Sequence, residues 1–254
     1  MSHDAPPPRP TRADELLLAQ GKADSRTAAQ RLIRTGKVTL ADGSPVAKPS
    51  QKVPDNVELC VSEPLRFVSQ GGEKLEAWFT QFPLDITGWH ALDIGASTGG
   101  FIDCLLQRGA EHVTGIDVGH GQLHPRLVDE DRIYYKEGIN AKALDETKLP
   151  YSDYPLVVAD LSFISLTKVL TPIWNRVAPG GQLVLLVKPQ FEAAREAVDR
   201  GRGVIRDEVD RLAALESVLA SARELPDATI TGQMECPVSG GEGNREYLVG
   251  LRKG

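Results

Sequence analysis

Leu92-Asp-Ile-Gly-Ala-Ser-Thr-Gly-Gly-Phe101 decides the fold. An apolar run, His90-Ala-Leu-Asp-Ile, enters a glycine-rich turn, and a helical pattern opens near Thr98, so the stretch reads as strand, turn and helix. Glycine at such a turn lets the backbone bend sharply and lets a ligand approach the main chain without meeting a Cβ. The glycines Gly95, Gly99 and Gly100 are spaced G-x-x-x-G-G, a poor match to the G-x-G-x-x-G dinucleotide fingerprint. About 18 residues beyond Gly99, Asp117 closes the next apolar run, Val113-Thr-Gly-Ile-Asp, where doubly wound folds set an acid against a ribose diol.

A glycine-rich turn in register with such an acid, without a pyrophosphate signature, suits an adenosine that bears no charged phosphate: S-adenosylmethionine. The expected contacts are Asp93, Gly95, Ala96, Ser97, Thr98, Gly99, Gly100, Asp117 and Asp160. Asp93 is expected to organise the turn and to meet the cationic end of the ligand through water.

Outward from this stretch, apolar runs alternate with helix-length segments: His112-Val-Thr-Gly-Ile-Asp-Val, Leu156-Val-Val-Ala-Asp-Leu and Leu183-Val-Leu-Leu-Val-Lys. The pattern predicts an α/β fold, a doubly wound and mainly parallel sheet covered on both faces. Asp160 and Lys188 end two of these strands, where such sheets present catalytic groups. Lys74 lies in the helix that opens the domain, and Glu246 precedes the last apolar run, Tyr247-Leu-Val-Gly-Leu. Taken singly, a Lys or Glu at a strand end is more often a solvated surface residue, and Asp160 could simply cap a following helix.

The first 62 residues read differently. Residues 1–11 are Pro-rich and expected to be a tail. A helix capped by Thr11 or Asp14 carries Leu16, Leu17 and Leu18, and a second follows Asp24 or Ser25 up to Gly36. Lys37-Val-Thr-Leu and Asp55-Asn-Val-Glu-Leu-Cys-Val read as strands. On the second helix Arg26, Gln30, Arg31 and Arg34 are spaced to form a basic face, with Ala28, Ala29, Leu32 and Ile33 turned inward. Charged faces of this kind are also common on solvated helices.

Composition bounds the function. The net charge is −6, yet residues 1–62 hold nine Lys and Arg against seven Asp and Glu, so basic excess sits at the front. RNA contact would depend on local patches. Cys60, Cys104 and Cys236 form no C-x-x-C pair, which argues against a zinc site or a disulfide framework, and no metal is expected. No apolar run approaches a membrane span and the start lacks a signal-peptide pattern, so a cytoplasmic, monomeric protein is expected.

Residues 12–62, through Arg12-Ala-Asp-Glu-Leu-Leu, Ser25-Arg-Thr-Ala-Ala-Gln-Arg-Leu-Ile and Gly36-Lys-Val, resemble the S4 RNA-binding domain. That resemblance implies RNA contacts at Arg12, Arg26, Arg31, Arg34 and Lys37, and a weaker salt dependence of RNA binding when Arg31 and Arg34 are lost. A short connection over 63–69 leads to residues 70–254. There Ser69-Gln-Gly-Gly-Glu-Lys-Leu, the Leu92–Phe101 stretch, Asp160-Leu-Ser-Phe-Ile-Ser-Leu, Val187-Lys-Pro-Gln-Phe-Glu and Gly243-Asn-Arg-Glu-Tyr-Leu resemble the TlyA branch of the FtsJ-like rRNA methyltransferases. The resemblance implies 2′-O-methylation of cytidine ribose in ribosomal RNA or ribosomal subunits, with a catalytic tetrad of Lys74, Asp160, Lys188 and Glu246. A 2′-hydroxyl is a feeble nucleophile, so a lysine of lowered pKa, Lys188, is expected to take its proton.

Gln70 stands where relatives carry Arg. Arg200, Arg202 and Arg206 form either a second RNA-facing patch or part of an acceptor loop. Two rival classes remain: an RNA-binding assembly factor without turnover, and a membrane-active protein of the hemolysin type, which the lack of a basic amphipathic helix with aromatic anchors opposes.

Overall fold

Short strands and two helices account for the first of two units into which the chain divides, the break falling between Arg66 and Phe67. The computed structural model describes residues 8–240 and 243–254. In the first unit β1 (Pro10–Arg12) leads into α1 (Ala13–Ala19), α2 (Arg26–Arg34), β2 (Val38–Leu40), β3 (Lys52–Pro54) and β4 (Leu59–Val61). β1 pairs antiparallel with β3, and β2 with β4. Leu16, Leu17, Ala29, Leu32, Ile33, Val53 and Leu59 close a small core between them.

Three local expectations change. Residues 1–7 of the expected tail lie outside the described residues, while Pro10–Arg12 is a paired strand. The strand expected over 55–61 is confined to Leu59–Val61, because a turn in which the Val57 N–H donates to the Pro54 carbonyl precedes it. Neither Thr11 nor Asp14 caps α1: Arg12 holds the N-cap without a side-chain bond.

Asp14 is instead fully buried and accepts hydrogen bonds from Arg12 (Nε and Nη2, each 2.8 Å), Gln30 (2.9 Å) and Arg26 (3.4 Å). The Arg12 hydrogen bond, against the opposing effect of burial, holds its carboxyl well below the usual carboxylate range. Asp14→Asn turns an amide toward donors, and hydrogen bonds to charged groups contribute about 1.5–3 kcal/mol. We expect a loss of about 2 kcal/mol in urea unfolding of the intact chain. In the native chain this contribution is complete above about pH 4, the unfolded value, and is lost as pH falls through the depressed folded value.

The second unit opens with α3 (Gln70–Gln81), β5 (His90–Ile94), α4 (Gly100–Gln107), β6 (His112–Ile116), α5 (Pro125–Val128), β7 (Ile133–Lys136) and β8 (Tyr154–Ala159). It continues through α6 (Leu170–Trp174), β9 (Val177–Val187), α7 (Pro189–Glu192), α8 (Arg195–Gly201), α9 (Glu208–Arg223), β10 (Ala228–Glu235) and β11 (Tyr247–Lys253). The strands form one sheet in the order β10-β11-β9-β8-β5-β6-β7. The five strands from β9 to β7 are mutually parallel, and β11 and β10 are antiparallel additions.

The continuous apolar run of β9 is explained by burial on both faces. Leu183, Leu185 and Val187 join α6 and α9 on one side, whereas Val184 and Leu186 join α3 and α4 on the other. This is the predicted doubly wound, mainly parallel α/β architecture. The strand order turns back at β5, which lies between β6 and β8, and such a switch point opens a crevice at the strands' carboxyl ends.

Candidate active site

The carboxyl ends of β5 and β8 approach so closely that a Cβ on Gly95 would stand 2.4 Å from the Asp160 carbonyl oxygen. Gly95 also has φ +84°, which an L side chain rarely adopts, so both space and conformation demand glycine. The turn that follows engages four of its own amides. Gly95 and Ala96 donate to the Ile116 carbonyl (2.9 and 3.1 Å), Ser97 to Asp117 Oδ2 (2.8 Å) and Gly99 to the Ala96 carbonyl (2.7 Å). With these donors engaged, the turn is a poor phosphate cradle, which separates it physically from a pyrophosphate loop.

Asp117 follows β6 and also accepts the Gly119 N–H through Oδ1 at 2.7 Å. Each oxygen keeps a lone pair for a further donor. Gly95, Ser97, Asp117 and Asp160 line a cleft of about 860 Å³, within the range of small-molecule sites. Asp93, Ala96, Thr98 and Gly100 line an adjoining recess of about 110 Å³ together with Gly71 and Asp160. Gly99 lines neither; its Cα faces the side chains of Leu123 and Leu127, and its positive φ gives it a conformational role in the turn. The left-handed φ of +86° at Gly99 also delays α4 to Gly100, two residues beyond the expected start.

Asp93 is fully buried, and neither carboxylate oxygen has a partner in hydrogen-bond geometry; the nearby Ile102 N–H falls outside it. Burial, reinforced by Asp160 and Asp117, pushes its carboxyl well above the ordinary value. A buried, unpartnered acid beside two other acids is a site short of a cation.

Two lysine–carboxylate pairs stand at this same end of the sheet. Lys74 Nζ donates to Glu246 Oε2 at 2.5 Å, and both residues are buried. Lys188 Nζ lies 2.5 Å from Asp160 Oδ1 and donates to Ser162 Oγ at 2.9 Å. Burial works to lower the Lys74 pKa, but Glu246 and then Asp160 outweigh it, and the net direction is upward. The structure therefore brings the four residues together as two pairs bridged by the field of Asp160. Backbone geometry explains it: Tyr247 pairs with Val187 in the antiparallel ladder, which carries Glu246 and Lys188 to one end of adjacent strands. Lys74 reaches them from α3, whose start packs against the start of α4 so tightly that a Cβ on Gly100 would lie 2.9 Å from the Gly72 nitrogen.

Sequence reasoning missed several neighbours. Phe163, 92% exposed and at φ +65°, lines the cleft beside Ser162. Its ring meets Phe191 at 5.3 Å between centroids. Cys236 is buried where Lys74, Glu246 and Asp160 all act on it, and burial pushes its thiol up. The one available signal was an aromatic residue inside Asp160-Leu-Ser-Phe-Ile-Ser.

In the first unit the predicted basic face is corrected. Arg31 is 5% exposed and belongs to the interior. Arg12 and Arg26 are partly engaged by Asp14 and Glu15, Lys37 pairs with Glu63 at 3.3 Å, and Arg34 is exposed and donates to Gln30 at 3.5 Å. In the second basic segment Arg200 pairs with Asp210 at 2.5 Å, Arg206 donates to the Gly201 carbonyl, and Arg200, Arg202 and Arg206 are all exposed.

A doubly wound sheet with an acid-lined cleft at its switch point, preceded by a small helical unit, is the arrangement of an S-adenosylmethionine-type methyltransferase joined to an RNA-binding module. Comparison with known proteins agrees: residues 67–253 match the FtsJ-like methyltransferase model and residues 11–59 the S4 domain model. The chain belongs to the FtsJ-like methyltransferase family, in the S4-bearing branch that contains TlyA.

It is 40% identical over 246 residues to the 16S/23S rRNA (cytidine-2′-O)-methyltransferase TlyA of Mycobacterium tuberculosis, covering 96% of this chain and 90% of that one. It is 37% identical over 238 residues to Hemolysin A of Brachyspira hyodysenteriae, covering 94% of this chain and 98% of that one. The fold alone is shared with the O-methyltransferase of Bacillus cereus, at TM-score 0.50 and 16% identity over 75% of this chain and 84% of that one. Among the described residues no helix is long and apolar enough to cross a membrane.

Proposed function

We propose that the protein transfers a methyl group from S-adenosylmethionine to the 2′-hydroxyl of a cytidine in ribosomal RNA. The observation that carries this reading is the pairing of Lys74 with Glu246 and of Lys188 with Asp160 beside the Gly95 cleft. The residues fit the cofactor: Asp93 is a buried acid without a partner, Asp117 keeps acceptor capacity for a ribose diol, and the turn's occupied amides disfavour a phosphate. When bound, S-adenosylmethionine supplies a methyl group made electrophilic by its sulfonium.

The protein's own residues divide the remaining work. Lys188 Nζ, once its ammonium has released a proton to solvent, accepts the proton of the 2′-hydroxyl through the freed lone pair, and Asp160 with Ser162 orients that amine. Lys74, whose pKa is raised, stays a cation and is unsuited to act as the base. It stabilises negative charge developing on the attacking oxygen, while Glu246 compensates it in the ground state. Arg34, Arg26 and Lys37 approach RNA phosphates from the S4 unit.

Phe163 offers an exposed ring next to Ser162, in a backbone conformation that costs energy and is tolerated where function uses it. It stacks on the target base. Base stacking on an aromatic side chain contributes about 1–3 kcal/mol, so Phe163→Ala should raise KM for RNA roughly 5- to 150-fold. A KM within twofold of the native value would remove Phe163 from the RNA site.

The test of the activity is transfer of tritiated methyl from S-adenosylmethionine to ribosomal RNA, followed by mapping of modified nucleotides. Ribose-methylated cytidine is expected. Label on a base, or on no RNA, ends the proposal.

A further inference from the structure

Phe163 is held between two pinned neighbours. On one side, Ser162 accepts a hydrogen bond from Lys188 at 2.9 Å, and Asp160 pairs with the same ammonium. On the other, Glu192 accepts the Ser165 hydroxyl at 2.6 Å through Oε2 and the Leu166 N–H at 2.8 Å through Oε1. Phe191 packs against the Phe163 ring from the same short helix, α7. Five contacts thus fasten Lys188-Pro-Gln-Phe-Glu192 to Asp160-Leu-Ser-Phe-Ile-Ser-Leu166, and Phe163 lies among them.

The arrangement has a physical purpose. A non-glycine residue at φ +65° is strained by the approach of its Cβ to the backbone, and exposing a large apolar ring to water adds to that cost. Without external restraint the loop would relax toward a conformation that covers the ring. Strained residues persist where the surroundings over-determine them, and here the restraint C-terminal to Phe163 comes chiefly from the Glu192 carboxylate. Burial raises the Glu192 pKa, against the Leu166 and Ser165 hydrogen bonds, consistent with a carboxyl placed for contact rather than for solvation.

We propose that Glu192 is a positioning residue that holds Phe163 ready to receive the target base, and that couples base acceptance to the placement of Lys188 through their shared loop. The proposal rests on the RNA 2′-O-methyltransferase reading. It adds a requirement that the base be seated before the ribose hydroxyl meets its proton acceptor.

A double-mutant cycle tests it in the full chain with ribosomal RNA and S-adenosylmethionine. Glu192→Ala should raise KM for RNA by as much as Phe163→Ala does and lower kcat severalfold. The double variant should be no worse in KM than Phe163→Ala alone, because both lesions act through one ring. Glu192→Gln should recover most of the loss, since its amide oxygen still accepts the Leu166 N–H. Calorimetry should show S-adenosylmethionine affinity within twofold of native in each variant.

Hydrogen exchange without RNA gives a readout independent of turnover. The Lys168 and Val169 amides, which donate to the Ser165 and Leu166 carbonyls in the turn that Glu192 holds, should exchange at least tenfold faster in Glu192→Ala. Additive KM penalties in the cycle, or unchanged exchange of those amides, would overturn the proposal. If native protein transfers no methyl to any RNA, the functional reading falls, while the exchange result still decides whether Glu192 restrains the loop.

Discussion

Lys188→Ala is expected to lower kcat for methyl transfer by about 10²–10⁴-fold, the range that a positioned general base contributes. The side chain follows the end of β9 and pairs with Asp160 and Ser162, so its loss removes the proton acceptor while the β9 core residues keep their packing. Circular dichroism and S-adenosylmethionine affinity should stay near native. Asp160→Asn should show a comparable defect, because the lysine loses its orienting charge. The double variant should be scarcely worse than Lys188→Ala, as expected of groups that act as a unit. Turnover of Lys188→Ala within tenfold of native would assign the proton to another group and dissolve the tetrad.

Asp93→Asn should move stability and cofactor binding in opposite directions. Asp93 is a buried carboxyl whose folded pKa lies well above its unfolded value, through burial first and then Asp160 and Asp117. Between those two values the folded state binds the extra proton, so stability falls as pH rises from the unfolded value through the folded one. An amide has no such titration. At pH 8 the variant should melt several degrees above native protein without cofactor, and the difference should vanish near pH 4.

The same replacement removes a buried acid of the recess whose oxygens meet no donor in hydrogen-bond geometry among the described residues, and a lost charged contact of this kind costs about 1.5–3 kcal/mol. S-Adenosylmethionine affinity should drop roughly 10- to 150-fold by calorimetry. A variant that is less stable than native at pH 8, or that binds the cofactor equally well, would show that Asp93 serves the turn's architecture and not a cation. The stability lost to a functional acid would then need another explanation.

Much of the catalytic unit was legible because its signals are local. The Leu183–Val187 run announces a strand buried on both faces, and the Gly95 turn announces a ligand-bearing strand end. β7 and β10 were not anticipated. β10 alternates between half-buried and exposed positions and contains Thr229, Thr231, Gly232 and Gln233, so its apolar content is too low to mark a strand without its antiparallel partner β11. On α2 the spacing of Arg26, Arg31 and Arg34 suggested one basic face, yet Arg31 turned inward. Helical periodicity states which residues share a face; it does not state how wide the buried sector is.

The amino-acid sequence alone determined the doubly wound class, the glycine turn and the Asp117 register, since each is written in strand endings and short motifs, whereas Lys74, Asp160, Lys188 and Glu246 were singled out by the resemblance to the FtsJ-like methyltransferases. Only the tertiary structure decided that Lys74 meets Glu246, a residue 172 positions away, and that Lys188 meets Asp160. It also decided that the Asp93 oxygens meet no donor in hydrogen-bond geometry among the described residues and that Phe163 stands exposed in a strained backbone. These are consequences of strand order and of the distance between side chains brought close by packing. No local pattern encodes a distance between chain segments so far apart.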